Sequence, residues 1–141
     1  YLVPFRNSAP LISGQTTFCP GISRLESSAD STGVHLIGGN VGGNVAYFQG
    51  PRAGPVTEIA SQRHYEHLGV ASNGLKALSY LGFNGTFSDG IEVLDANDGL
   101  VHHFEQLWQM EGVRFSADDR FLVVLGYSQP VNGELQVLKI P

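Results

Sequence analysis

The chain has 141 residues, of which 42% are hydrophobic, 15% are charged and 18 are glycine. This composition predicts one folded domain with many turns and excludes a disordered chain. The net charge of −5, with no cluster of basic residues, excludes a basic nucleic-acid-binding face. The longest apolar runs fall far short of the ~20 residues of a membrane-spanning helix, so no membrane span is expected.

Three stretches of the sequence share one pattern and predict a repeat protein. In each, an alanine followed by polar turn residues opens a β-branched and aromatic run that ends at glycine. A polar Gly/Asn loop and an alternating strand follow. The repeats begin at Ala29, Ala71 and Ala117, so the intervals are 42 and 46 residues. That period is close to the length of a four-stranded propeller blade.

All predicted elements are β-strands, and each repeat contains an inner, a central, a third and an outer strand. Continuous apolar runs indicate central strands that are covered on both faces. Looser alternation, with Glu92, Gln136 and Lys139 facing water, indicates third strands. In chain order the predicted strands are Ile22–Glu26, Val34–Ile37, Val45–Phe48, Val56–Ala60, His67–Val70, Leu75–Leu81, Ile91–Leu94, Leu100–Phe104, Gly112–Phe115, Phe121–Leu125 and Leu135–Ile140.

These strands predict an all-β domain of three four-stranded antiparallel propeller-type blades over residues 1–141. The blades span 22–60, 61–106 and 107–141, after an N-terminal segment at 1–21. The third blade lacks an outer strand of its own. We expect an N-terminal strand of the same or another chain, Tyr1–Phe5 or Pro10–Ser13, to complete it and to cover its edge.

The sequence FSADDRFLVVLGYS from Phe115, followed by GELQVLKI from Gly133, resembles the blade motif of YVTN-type, lactonase-like and WD-repeat-like propellers. IEVLDANDGLV from Ile91 is similar to the turn between the third and fourth strands in the same families. The resemblance covers 22–141 and implies a β-propeller. It names no subfamily, because the Trp-Asp dipeptide, the YVTN tetrapeptide and the Asp-box motif are absent.

Three blades do not close a ring, since propellers have about four to eight blades. Three completions stay open: a homodimer that forms a six-bladed ring, a longer or processed polypeptide, and an open assembly or filament. We therefore predict a non-catalytic interaction or assembly module, with further copies or other propeller blades as partners. The alternative is a carbohydrate-binding or hydrolytic propeller with its site in the assembled central channel.

Polar residues on or beside the predicted inner strands are the candidates for lining such a channel. They are Glu26, Glu66, His67, Glu111 and Arg114. The GxSxG, HExxH and P-loop motifs are absent, so no catalytic residue and no cofactor is assigned.

Aromatic residues and one sequon supply the remaining surface candidates. Phe83, Tyr127 and Trp108 are candidates for a ligand-binding surface, although buried packing explains Tyr80, Phe83 and Tyr127 more simply. Asn84 begins an Asn-Gly-Thr glycosylation acceptor in a predicted loop. Use of that acceptor would place the protein outside the cell, and the single cysteine does not argue against this.

Metal ligands are not expected from the histidines or from the DANDG segment. A regular strand would place His64 and His67 on opposite faces, and would do the same for the adjacent His102 and His103. Asp95 to Gly99 departs from the spacing of a calcium loop and predicts a hairpin turn instead.

Overall fold

The computed structural model describes residues 26–29, 33–39, 45–51, 55–81, 90–105, 109–128 and 132–141. All the regular secondary structure in these residues is β-strand. The strands are β1 (Glu26–Ala29), β2 (Val34–Gly39), β3 (Val45–Gly50), β4 (Thr57–Ala60), β5 (His64–Val70), β6 (Lys76–Leu81), β7 (Gly90–Leu94), β8 (Leu100–Glu105), β9 (Gln109–Phe115), β10 (Phe121–Ser128) and β11 (Asn132–Lys139).

The strands form three antiparallel sheets in which every strand pairs with its neighbours in the chain. The first sheet is β1-β2-β3-β4, the second is β5-β6-β7-β8, and the third is β9-β10-β11. The prediction of an all-β chain with three antiparallel sheets is confirmed. In the described residues the third sheet has three strands, and the N-terminal strand predicted to complete it lies outside them.

From β2 to β11, the bounds of the strands lie within three residues of those predicted from the apolar runs. The first inner strand was predicted at Ile22–Glu26, but β1 begins at Glu26 and ends at Ala29. Residues 22–25 lie outside the described part of the chain. Ala29, which marks the first repeat, is the last residue of β1.

Three hairpin turns share one geometry, in which a backbone hydrogen bond closes four residues and the fourth residue has a positive φ. The bonds run from the N–H of Gly74 to Ala71, of Asp98 to Asp95, and of Asp119 to Ser116. The φ angles of the fourth residues are 87°, 67° and 56° in the same order. Glycine and aspartate tolerate this conformation, so the polar turn residues of the repeats fix where each hairpin reverses.

The three sheets stack in chain order. We call the face of each sheet that points along the stack, from the first sheet towards the third, its front face, and the opposite face its back face. The front face of the first sheet packs on the back face of the second sheet. The buried residues of this interface are Ile37, Val45, Tyr47, Tyr65, Leu68, Leu78, Tyr80 and Leu94.

The interface between the second and third sheets is apolar and repeats the same arrangement. The front face of the second sheet contributes Ala77, Ile91 and Val93, each 0% exposed. The back face of the third sheet contributes Met110, Val113, Leu122 and Val124. The second sheet is thus covered on both faces, and most of the core of the described residues lies against it.

Candidate functional site

The front face of the third sheet carries a group of exposed apolar side chains, flanked by Arg114 opposite Val123 and by Lys139 opposite Phe121. The register of the sheet places Phe121, Val123 and Leu125 of β10 on this face, with Val137 opposite Val123 and Leu135 opposite Leu125. We call these five residues the terminal face. Leu125, Leu135 and Val137 are 51%, 65% and 58% exposed, and Phe121 and Val123 are half-buried.

The equivalent faces of the other two sheets are buried. On the first sheet Ile37 and Tyr47 are 1% and 0% exposed, because the second sheet covers them. On the second sheet Ile91 is 0% exposed beneath the third sheet. The terminal face is therefore the one front face in the described part of the chain that is left open to solvent.

The outer surface of the first sheet differs from the terminal face. Its back face carries Val34, Leu36, Ala46 and Phe48, which are 0% to 6% exposed and form a separate cluster with Val56 packed against it. The two ends of the stack are therefore unlike. One end presents apolar side chains to solvent, and the other has its apolar side chains buried.

Two of the predicted channel residues hold the second and third sheets together at their inner strands. Nε2 of His67 on β5 donates to the carbonyl of Met110 on β9 at 3.1 Å, and His67 is 1% exposed. Nη1 of Arg114 on β9 donates back to the carbonyl of Leu68 at 2.8 Å. The inner strands approach so closely that a Cβ added at Gly69 would lie 3.1 Å from the carbonyl oxygen of Val113.

The predicted glutamates lie at corresponding irregularities of the inner strands. The register of β5 on β6 shifts between Tyr65 and His67, so Glu66 is the additional residue of a β-bulge. The register of β9 on β10 shifts in the same way and leaves Glu111 as the additional residue. Glu66 is half-buried and Glu111 is exposed. The backbone of Glu26 lies in β1, and the structure does not describe its side chain.

The bulge at Glu66 overturns one prediction about the histidines. His64 pairs with Leu81 and His67 pairs with Ser79, and these two partners lie on one face of β6. His64 and His67 therefore share a face, because the bulge adds one residue between them. In the residues that the structure describes, no group of three His, Cys, Asp or Glu side chains could hold a metal ion.

A polar cluster lies on the back face of the second sheet and centres on Glu92, which the sequence predicted to face water. Nε of Arg63 lies 2.6 Å from Oε1 of Glu92, and the hydroxyl of Tyr65 donates to Oε2 at 2.8 Å. The Arg63 guanidinium lies 4.1 Å from the centre of the Tyr80 ring. The Tyr80 hydroxyl is 2.5 Å from Nε2 of His103. The prediction that Glu92 faces water is wrong, because its side chain is 14% exposed and lies between two hydrogen-bond donors.

The environment of the cluster shifts the pKa of two of its groups. Burial, reinforced by the hydrogen bond donated to Glu92, raises the pKa of Tyr65 well above its ordinary value. Burial acts to lower the pKa of Arg63, but the hydrogen bond and charge of Glu92 outweigh it and the pKa is raised. Tyr65 therefore stays a neutral donor and Arg63 a cation, which suits a structural role for the cluster.

The raised pKa of Tyr65 predicts a loss of stability at alkaline pH. Above pH ~10 the unfolded chain loses the Tyr65 proton while the folded chain keeps it, so the folded state binds more protons. The contribution of Tyr65 is complete below that pH, and it falls by up to about 1.4 kcal/mol per pH unit above it. Urea unfolding between about pH 8 and pH 11 should show a shallower decline for Tyr65→Phe than for the wild type. Equal declines in the two proteins would contradict this assignment.

The remaining predicted residues divide into those that the structure describes and those that it does not. Tyr80 is 5% exposed, as expected for a packing residue. Phe83, Asn84 and Trp108 lie outside the described residues, and for Tyr127 only the backbone is described, in β10.

The DANDG segment forms the predicted hairpin turn between β7 and β8. Oδ1 of Asp95 accepts hydrogen bonds from the backbone N–H groups of Asn97 and Gly99 at 2.8 and 2.9 Å. Asp98, the fourth residue of the turn, accepts a hydrogen bond from Nζ of Lys76 at 2.6 Å. Lys76 is 1% exposed. Sequence reasoning missed this buried ion pair, because a lysine within an apolar run gives no indication of its partner.

The described residues contain no helix that is long and apolar enough to cross a membrane. No family model, no curated protein and no solved structure matches this chain.

Proposed function

We propose that this chain is a non-catalytic interaction and assembly module. It is a partial β-propeller that self-associates, or completes a larger propeller, by packing its terminal face on another β-sheet. The observation that carries this proposal is the exposure of Leu125, Leu135 and Val137 on a front face whose counterparts in the other two sheets are buried.

The arrangement of the sheets supports propeller-type blades. Each sheet is a meander in chain order, and consecutive sheets pack face to face with their inner strands close together. β5 contacts β9 through the bonds of His67 and Arg114, as inner strands of neighbouring blades would around an axis. In this proposal a fourth strand, from the N-terminal segment of the same or another chain, completes the third sheet along β11.

The energetics favour covering the terminal face. Apolar surface gains about 25 cal/mol for each Å² removed from water, and a contiguous exposed apolar patch typically marks an interaction site. A single exposed leucine would carry no such meaning, but here three side chains that are more than half exposed are neighbours on two paired strands. The occupant should be a flat apolar surface of similar width, which another β-sheet provides.

The test compares the native mass of three proteins by light scattering on a size-exclusion column. We expect the wild type to form a fixed small multiple at high concentration and Leu125→Asp to be monomeric, because a carboxylate cannot be buried in an apolar contact. Val101→Asp is the matched control, since Val101 is 50% exposed on β8, outside the terminal face, and Leu125 is 51% exposed.

The outcomes separate the proposal from general effects of an added charge. Loss of association in Leu125→Asp but not in Val101→Asp supports assembly through the terminal face. A folded wild-type monomer at every concentration contradicts self-association, as does an equal effect of the two substitutions.

A further inference from the structure

One exposed turn of the second sheet combines a reactive sequence with a contact to the third sheet. The chain has three Asn-Gly pairs, and Asn73-Gly74 is the one whose two residues the structure describes completely. They are the third and fourth residues of the turn that begins at Ala71, and Asn73 is exposed. We propose that Asn73 is a site of spontaneous deamidation, and that the isoaspartate formed there weakens the contact between the second and third sheets.

A hydrogen bond orients the Asn73 side chain for this reaction. Oδ1 of Asn73 accepts from the backbone N–H of Leu75 at 3.1 Å. The contact has the form of an Asx-turn, in which the side chain folds back along the backbone that follows it. It therefore brings the amide carbon of Asn73 towards the intervening backbone nitrogen, which belongs to Gly74. The same N–H of Leu75 stabilises the negative charge that develops on Oδ1 when this nitrogen attacks.

Glycine at the next position leaves the attacking nitrogen accessible. Gly74 has a φ of 87° and no side chain, so no Cβ shields its nitrogen from the amide carbon. The N–H of Gly74 donates to the carbonyl of Ala71 at 3.2 Å, which is the longest of the three equivalent turn bonds. This bond has to open before the nitrogen attacks, and the opening of an exposed turn costs little free energy.

The reaction needs only water as a co-reactant. Water or hydroxide removes the proton from the Gly74 nitrogen, which forms a bond to Cγ of Asn73. The side-chain nitrogen takes up a proton and leaves as ammonia, and the product is a cyclic succinimide. Water then opens the ring at one of its two carbonyl carbons. Addition at Cγ gives aspartate, whereas addition at the main-chain carbonyl carbon gives isoaspartate, in which the backbone runs through Cβ and Cγ.

The turn that contains Asn73 also holds the third sheet. Oδ2 of Asp119, in the turn between β9 and β10, accepts from the hydroxyl of Ser72 and from the backbone N–H of Asn73, the latter at 3.1 Å. Isoaspartate lengthens the backbone between residues 73 and 74 by one carbon atom, so the turn no longer closes with the same bonds. We therefore expect both donors to move away from Asp119 and the contact between the two sheets to weaken.

Aspartate, the other product, leaves the backbone unaltered. The turn of the third sheet already has an aspartate at its third position, Asp118, whose Oδ1 accepts from the N–H of Arg120 at 3.3 Å. This bond is the counterpart of the one between Asn73 and Leu75. A turn of this kind thus tolerates aspartate, and the weakened contact is specific to isoaspartate.

The chain supplies its own control for the chemistry. Asn97 is also exposed, is the third residue of an equivalent turn, and precedes a residue with positive φ, Asp98. The folded full chain is incubated at mildly alkaline pH, and peptide mapping by mass spectrometry follows both asparagines. We expect Asn73 to be converted roughly tenfold faster than Asn97, because glycine has no Cβ beside the attacking nitrogen. Equal rates at the two positions would contradict the proposal.

Two further measurements test the role of the fold. The same incubation of the urea-unfolded chain shows what the sequence does alone. If Asn73 is converted there but stays intact in the folded chain, the turn protects it and the proposal is overturned. The isoaspartate form is then separated by ion exchange and unfolded in urea beside the wild type and Asn73→Asp. We expect a lower midpoint for the isoaspartate form and a midpoint near that of the wild type for Asn73→Asp. An unchanged midpoint for the isoaspartate form would overturn the proposed effect on the sheet contact.

Discussion

Replacement of Asp98 by asparagine is expected to lower the free energy of unfolding by about 3 kcal/mol. The Lys76 side chain is 1% exposed, and its Nζ lies 2.6 Å from Oδ1 of Asp98. Removing the carboxylate leaves a buried ammonium without its counter-charge, which typically costs about 3 to 5 kcal/mol. The Asp98 side chain is 23% exposed, so water reaches the pair and the lower end of that range applies. Urea denaturation at neutral pH measures the change.

Two further variants separate the ion pair from the turn that carries it. Asp119→Asn is the matched control, because Asp119, like Asp98, is the fourth residue of its turn and has a positive φ of 56°. Its carboxylate accepts hydrogen bonds from neutral donors only. It should lose roughly 1 kcal/mol. In the double variant Lys76→Met with Asp98→Asn, most of the loss should be recovered, since no unpaired charge remains. A double variant that is no more stable than Asp98→Asn would contradict this account.

The sequence predicts the strands well because their boundaries are local features. Apolar β-branched and aromatic runs set the central strands, and residues that tolerate a positive φ, such as Gly74 and Asp98, set the turns. The β-bulges are not local in this sense. Glu66 becomes an additional residue only because of how β5 pairs with β6, and so the shared face of His64 and His67 was not predictable.

The polar contacts of Glu92 could not be predicted from the sequence either. Glu92 occupies an alternating position that is typical of a solvent-facing residue, and only the fold brings Arg63 and Tyr65 to it. Arg63 is 29 residues away from Glu92 in the chain, and no pattern in the sequence joins the two. Burial of a charged residue depends on the neighbouring sheet, which single-sequence reasoning places only coarsely.

One difference between sequence and structure bears directly on function. The continuous apolar run from Phe121 to Leu125 predicts a strand covered on both faces. In the structure Leu122 and Val124 on the back face are 0% exposed, while Leu125 on the front face is 51% exposed. The front face of β10 is therefore as apolar as that of a covered strand, although the described residues leave it exposed to solvent. This supports the proposal that another sheet covers it in the assembled state.

The two faces of β10 should respond in opposite ways to the same substitution. At a concentration low enough to keep the chain monomeric, Leu122→Ala should lower the free energy of unfolding by about 2 to 5 kcal/mol, because it opens a cavity between the second and third sheets. Leu125→Ala should change it by less than about 0.5 kcal/mol, because its side chain already contacts water. The two leucines are three residues apart on one strand, so strand propensity is the same in both tests. Urea unfolding measures both changes.

At high concentration, where association is measured, Leu125→Ala should have a larger effect than Leu122→Ala. Leu125→Ala removes apolar area from the terminal face, so we expect the dissociation constant of the assembly to rise by roughly tenfold. Leu122→Ala leaves the terminal face unaltered, and as long as the variant remains folded its dissociation constant should stay near that of the wild type. If Leu125→Ala affects neither stability nor association, the apolar side chains of the terminal face have no partner in solution. If Leu122→Ala has the larger effect on stability and Leu125→Ala the larger effect on association, the back face of β10 stabilises the fold and its front face binds the partner.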